Sequence, residues 1–323
     1  MSRRSPIAWL LVLVLAVHGG AALAQAYPAK PVRFVVGFPP GGGTDIMARL
    51  LAAKLPELLG QPIVVENRPG AASNIATEHV VRSAPDGYTI LVATATMVMN
   101  SSFYKKLPFD VLRDLAPVSI FSDSPNVLAV RAGLAAKDVG EVIALARAKP
   151  GVLNYSSAGT GTTQHMTGEL FKLRTGTDIV HVPFKGTGPS LTTLIAGDVD
   201  MTFANIPAIL PHVRAGRLRA LAVAGDKRSD LMPEVPTMKE AGVDGVEVTI
   251  WYGVLAPAAT PRDIVDTLAA AVIKAARSPD IRSRLLEQGA EPIGNTPEEF
   301  ARQLREEVAR WNKVVAASGI RVD

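Results

Sequence analysis

The chain contains no cysteine. That absence excludes a disulfide framework, a thiolate metal site and a lipid-anchor cysteine. A dominant charge of one sign is also lacking. Lys and Arg total 34 against 30 Asp and Glu, a formal net charge of +4. Residues 1–26 hold two Arg and no acid, so the remainder carries 32 − 30 = +2. With no Lys/Arg run beside it, that balance excludes a nucleic-acid footprint despite a pI of 9.3. Aromatics are only 5% of the chain, but hydrophobic residues are 48% and no low-complexity tract occurs, so disorder is not indicated. No repeat recurs at a solenoid period. Nor is there an apolar run of the about 20 residues that a bilayer span requires.

The most apolar stretch, Ile7 to Val17, has the context of an export signal. Arg3 and Arg4 precede it, and Ala22-Leu23-Ala24 and Ala24-Gln25-Ala26 follow as small-x-small sites. Residues 1–26 therefore read as a signal peptide cleaved after Ala24 or Ala26. Ser5-Pro6 stands where twin-arginine export expects apolar residues, so the export route stays open. The remaining 323 − 26 = 297 residues are long for one core, which makes two domains the default.

Beyond the signal, short apolar runs alternate with helical patterns. Val32–Phe38, Pro62–Glu66 and Tyr88–Ala93 read as strands, with helices from Asp45 to about Leu59 and from near Ser73. This order implies right-handed βαβ crossovers and a mostly parallel sheet. A second series starts near Val127 and continues through 152–155, 179–182, 201–204 and 218–223. Three final helices, 261–277, 279–288 and 297–316, have no sheet of their own and must return to cover the first. The expected fold is α/β, with two lobes enclosing a ligand cleft and two interdomain crossings, near Ser122–Asn126 and Thr249–Tyr252. Lobe one is 27–124 plus 251–323, and lobe two is 125–250. In such sheets ligands lie beyond the carboxyl ends of the strands.

Both lobes carry a strand, a Gly/Thr/Ser turn and a helix start. The first is Gly37-Phe38-Pro39-Pro40-Gly41-Gly42-Gly43-Thr44-Asp45, the second Tyr155-Ser156-Ser157-Ala158-Gly159-Thr160-Gly161-Thr162-Thr163. Free N–H groups and the helix dipole make a helix start an anion site, so two facing turns would grip a carboxylate without an arginine. Read singly, each is equally an ordinary βα turn. The dinucleotide pattern GxGxxG fails at both, with Ile46 and Gln164 at the third glycine position, and Gly43 stands where a P-loop needs lysine.

Around these turns a longer resemblance emerges. The segments YPAKP (Tyr27–Pro31), VVGFPPGGGTDIMARLLA, VVENRPGAASNIA, PDGYTIL (Pro85–Leu91), VPFKGTGPS (Val182–Ser190), AGRLRALAV (Ala215–Val223), PEVPTMKEAG (Pro233–Gly242) and WYGVLAPAATP (Trp251–Pro261) resemble the Bug family, in order and over the whole mature chain. These are periplasmic substrate-binding receptors of tripartite tricarboxylate transporters. The resemblance implies a type II periplasmic-binding-protein fold that closes on a small organic carboxylate, with the proximal carboxylate held by the two glycine turns, partly through ordered waters. It carries those roles onto Phe38, Gly42, Thr44 and Asp45, and onto Ser156, Gly159, Thr160 and Thr162. The chain departs from the family at Ala71-Ala72-Ser73, where further glycine is usual, which can alter pocket shape near Asn74. The implied partners are inner-membrane transporter subunits or, since the binding physics is the same, a signalling ectodomain. A periplasmic monomer with no cofactor, no metal and no catalytic residue is expected.

Other residues leave alternatives open. Asp45 caps its helix or receives a ligand amine or bridging water. His165 donates to an anionic ligand or is hydrogen-bonded locally. Asn74, Thr94 and Asn205 follow strand ends, where uncharged polar groups orient a ligand. Lys185 is a solvated loop lysine or a charge for a distal carboxylate. His79, His181 and His212 read as structural, and Trp251 as hinge packing. As an enzyme, an ester or amide hydrolase is the alternative, through Ser102 or Ser156. Ser102-Phe103-Tyr104-Lys105 matches SxxK, but neither SDN nor KTG follows, and GxSxG and HExxH are absent.

Overall fold

A computed structural model describes residues 27–104 and 106–318. The signal-peptide reading, with its cleavage sites, lies outside the described residues. Among them no helix is long and apolar enough to cross a membrane.

The first half places β1 (Val32–Val36) between β2 (Ile63–Asn67) and β3 (Thr89–Thr94), parallel to both. Helices α1 (Gly43–Lys54), α2 (Pro56–Leu59), α3 (Asn74–Val81) and α4 (Ala95–Phe103) connect or follow them. β1 reads VRFVV without strict alternation because both its faces are covered. Val32, Phe34 and Val36 join Met47, Leu51 and Leu55 of the α1 side, while Val35 faces a separate cluster with Leu91 and Met97.

The sheet then continues as β4 (Leu115–Arg131), a strand of 17 residues that serves both halves. Its first part runs antiparallel to β9 (Thr249–Pro257), which in turn pairs antiparallel with β3. At Pro125 it still faces Thr249, and at Asn126 it faces Asn205 of β7 (Met201–Asn205). Asn126 marks the hand-over: its N–H donates to Val248 O (3.2 Å) and its carbonyl accepts from Ala224 N (2.7 Å). The sequence reading starts a strand only near Val127 and puts an interdomain crossing near Ser122–Asn126; the stretch before it is polar, with Pro117, Pro125 and three serines. The structure satisfies that polarity sideways, with Ser119 Oγ donating to Asn295 O (2.7 Å) and Ser124 Oγ to Gly289 O (2.9 Å).

The second half surrounds the distal part of β4. Its strands are β5 (Asn154–Ser157), β6 (Val180–Pro183), β7 and β8 (Leu218–Val223), with β5 parallel to both β6 and β7 and β8 antiparallel to β4. Helices α5 (Val139–Ala148), α6 (Thr163–Thr175), α7 (Thr187–Ala196) and α8 (Ile206–Arg214) cover it. Along β4, Val127 and Ala129 face one cluster with Leu191 and Ile209, and Leu128 and Val130 face another with Tyr155 and Phe203, the period-two rule of a strand. The closing helices α9 (Arg262–Arg277), α10 (Pro279–Glu287) and α11 (Pro297–Ser318) return to the first half. Val265, Leu268 and Val272 of α9 share a core with β1 and α1. In α11, Phe300 packs edge-on against Trp251 (5.2 Å between ring centres), whose indole N–H donates to both Glu307 carboxylate oxygens at 2.9 Å. β10 (Glu291–Pro292) pairs with β4 between α10 and α11.

Candidate functional site

Five helices begin around one point. Gly42, Gly43 and Thr44 at the start of α1, Thr96 in the first turn of α4, and Thr162, Thr163 and Gln164 at the start of α6 line a single small cavity. Thr187 at the start of α7 and Asn205 at the start of α8 complete its polar wall. Each of these helices is at least nine residues long. Helix N-termini carry partial positive charge, so their convergence favours an anion, and no charged side chain lines the cavity. The cavity holds about 20 Å³, room for one water-sized group.

The second glycine turn is braced from within. Thr162 Oγ1 donates to Gly159 O (2.7 Å) and accepts from His165 N (3.4 Å), capping α6. Gln164 links the turn to α7, its Oε1 accepting from Ala158 N (2.8 Å) and its Nε2 donating to Thr187 Oγ1 (2.9 Å). Gly159 has φ +135°, a conformation that side chains rarely adopt. Asn205 caps α8 by accepting from Ala208 N (3.2 Å). It also stands against Gly43, where an added Cβ would lie 2.6 Å from Asn205 Oδ1. Pro39 likewise meets Gly186 (2.8 Å from a hypothetical Cβ), and Gly161 abuts the Asn100 side chain. The two halves thus touch through glycines.

Phe38, Pro39 and Ala158 line both this cavity and a larger adjoining one of about 540 Å³. Gly159 and Thr160, the strap Pro69–Ala72, Tyr104 and the segment Pro183–Gly186 line the larger space. Ala71, Ala72 and Ser73 all have positive φ (46°, 50° and 75°), an unusual run for non-glycine residues. Asn100 Nδ2 supports the strap by donating to Ala72 O (2.8 Å). A third cavity, of about 610 Å³, sits at the β4–β9 crossing, away from both turns. Its wall holds Asp123, Asp226, Asp230, Glu287 and Glu291 against Lys227 and Arg228, a balance of 5 − 2 = 3 negative charges that disfavours an anion. Burial pushes the Asp123 carboxyl up to about 6, against a lowering hydrogen bond from Thr249.

Of the residues singled out in the sequence, Phe38, Gly42, Thr44, Gly159, Thr160, Thr162 and Asn205 line these two adjoining cavities. Asp45, Asn74, Thr94, Ser156 and His165 do not. The Asp45 carboxylate closes its own turn, accepting from Gly41 N (3.0 Å), Asn67 Nδ2 (2.9 Å) and Arg49 Nε (3.0 Å). Burial alone would raise it, but these donors outweigh that and hold it below the usual carboxylate range. Asn74 Oδ1 is taken by Asn100 Nδ2 (2.9 Å), and Ser156 Oγ accepts from Ser190 Oγ (2.8 Å) inside the core. The Thr94 hydroxyl is buried without a partner. His165 Nδ1 accepts from Gly161 N (3.1 Å), and its ring stacks on His181 at 4.1 Å. His181 Nε2 lies 2.6 Å from Ser157 Oγ. Burial lowers the two histidines to about 4 and about 3, so both are neutral at pH 7.

Thr96, Thr163, Gln164 and Thr187 were not singled out. Each lies in the first turn of a helix, and only the topology brings those turns together. Among the described residues no group of three or more His, Asp and Glu could hold a metal ion.

The two α/β lobes with a cleft between them form the type II periplasmic-binding-protein fold, shared with solved periplasmic solute-binding proteins. The chain belongs to the tripartite tricarboxylate transporter family of receptors, whose pattern matches residues 47–320. It is 39% identical to protein BugT of Bordetella pertussis over 301 residues, 93% of this chain and 92% of that one. Among solved structures it resembles Rpa4515 of R. palustris with adipate, at a TM-score of 0.89 and 39% identity over 91% of this chain and 99% of that one. It also resembles MatC of Rhodopseudomonas palustris with bound malate, at 0.86 and 35% over 90% of this chain and all of that one.

Proposed function

We propose that the protein captures a small organic carboxylate in the cleft between its halves and delivers it to inner-membrane subunits of a tripartite tricarboxylate-type transporter. The observation that carries this reading is the convergence of five helix N-termini on one uncharged cavity. Backbone N–H groups and threonine hydroxyls donate to a carboxylate without the desolvation cost of a buried cation. Adipate and malate in the two relatives supply the ligand class. Export to the periplasm by the 1–26 signal places the receptor beside such a transporter. The work is done by binding alone: a ligand that bridges both halves stabilises the closed arrangement. The two serines on which a hydrolase reading rests, Ser102 and Ser156, line neither cavity.

The test is a thermal-shift screen of organic acids on the wild type and on Gly42→Leu. Gly42 has ordinary φ (−81°), and its Cβ would sit 3.8 Å from Thr187 Cβ, so the turn accepts a side chain, while leucine exceeds the water-sized cavity and holds the two halves apart there. At about 100 times Kd, an acid stabilises the wild type by about 2.7 kcal/mol. The variant should fold and show no acid-dependent shift. An unchanged shift in Gly42→Leu sinks the site assignment.

A further inference from the structure

We propose that the cavity at the β4–β9 crossing is a second ligand site, which takes an organic ammonium ion with a hydrocarbon body and sets its charge against the Asp123 carboxylate. The site lies away from both glycine turns, and the proposal does not depend on the carboxylate reading above. Its volume of about 610 Å³ suits a small organic molecule. Both halves build it, with Leu286 and Ala290 from the first and Ile206 and Leu231 from the second giving an apolar wall. The halves touch there at Gly289, where an added Cβ would stand 2.2 Å from Ile206 Cγ2.

Asp123 is the group on this wall that lacks a counterpart. Among the described residues its one hydrogen bond is donated by Thr249 Oγ1 (2.9 Å), which also lines the cavity. The charges that act on it from neighbouring elements are Glu307 of α11, Glu291 of β10 and Asp226 after β8, all of its own sign. The two basic residues of the wall are engaged elsewhere, Lys227 with Glu291 (3.2 Å) and Arg228 with Glu240 (2.8 Å). A desolvated carboxylate is costly until a cation pairs and hydrogen-bonds with it, and an ammonium does both. Asp226, Asp230 and Glu287 are exposed on the same wall and add negative charge that attracts a cation from solution. A bare metal ion does not suit the cavity, because among the described residues no group of three or more His, Asp and Glu could hold one. The apolar wall instead favours a hydrocarbon body behind the charge.

The experiment is titration calorimetry at pH 7.5 with hexylamine, 1,6-diaminohexane and hexan-1-ol, the last having the same body without the charge. It uses the wild type, Asp123→Asn and the double variant Asp226→Asn/Asp230→Asn. At this pH the Asp123 carboxyl, pushed up to about 6 by burial, is ionised. The wild type should bind at least one of the amines, about ten-fold or more tighter than the alcohol. Asp123→Asn should fold, since asparagine still accepts from Thr249 and removes a desolvated charge, and should lose that ten-fold preference. The double variant keeps Asp123 and should weaken amine binding by about two- to five-fold, with a smaller loss on adding salt. Binding of neither amine by the wild type overturns the proposal, as does equal affinity for amine and alcohol. An amine affinity unchanged in Asp123→Asn overturns it too. If that variant does not fold, unchanged affinity in the double variant serves as the contrary result.

Discussion

At the scale of single residues, the site is built from atoms that are missing as much as from atoms present. Gly43 and Gly161 let Asn205 and Asn100 press against bare backbone across the cleft. Gly161 has φ +84°, so alanine there strains the turn and collides with Asn100 together, whereas Gly43 lies inside α1 and adds only the collision. Gly43→Ala should therefore keep the fold and lose about ten-fold or more in ligand affinity. Calorimetry with a bound acid checks this, and undiminished affinity would count against contact of the halves as a binding requirement. The histidine pair gives a second prediction. Its folded values lie below the ordinary 6.5, so between pH 6.5 and about 4 the unfolded chain binds more protons. Stability is then fully present above pH 6.5 and declines as pH falls, by up to about 1.4 kcal/mol per pH unit for each histidine. Asp123 opposes this between 3.8 and about 6, because its carboxyl is raised by burial. His181→Gln should flatten the decline relative to the wild type in urea melts at pH 7 and pH 5. Parallel losses in the two proteins would exclude the pair as the cause.

At the scale of elements, helix starts and strand ends carry the proposed function. Strand β8 was legible in the sequence to the residue, because LRALAV between polar turns has no competing reading. β4 was legible only from Val127 onward, since its first part is polar at Ser119, Ser122 and Ser124 and relies on partners from Gly289 and Asn295 that are distant in sequence. The two glycine turns could be read as turns from glycine beside threonine at the end of an apolar run, but singly each was equally an ordinary βα turn, and only their matching places in the two lobes pointed to a site. Thr96 and Thr187 could not, because nothing local distinguishes them from any first-turn threonine. Asp45 and His165 were visible as polar residues, but the direction of a side chain depends on neighbours such as Arg49 and His181. Thr162 is the element-scale test. Thr162→Ala removes the cap of α6 and should lower stability by about 1 kcal/mol, read as a denaturation midpoint. It should also weaken acid binding, because Gly159 loses its brace. Thr162→Ser should restore both.

At the scale of the molecule, the two halves share β4 and meet again where β9 begins, so the proposed closure would turn on the antiparallel pair around Pro125 and Thr249. Trp251 sits just beyond it and ties α11 to β9 through Phe300 and Glu307. Replacing this buried indole by alanine should cost about 3–5 kcal/mol, visible in a denaturant melt, while the chemistry of the cleft is left intact. The central claim concerns what the converging helix starts recognise: negative charge, held by backbone and hydroxyl donors. It is tested most directly by titration calorimetry of one acid that binds and of its primary amide, which has the same shape without the charge. The account predicts that the acid binds and that the amide binds at least a hundred-fold more weakly. Equal affinity for acid and amide would contradict it.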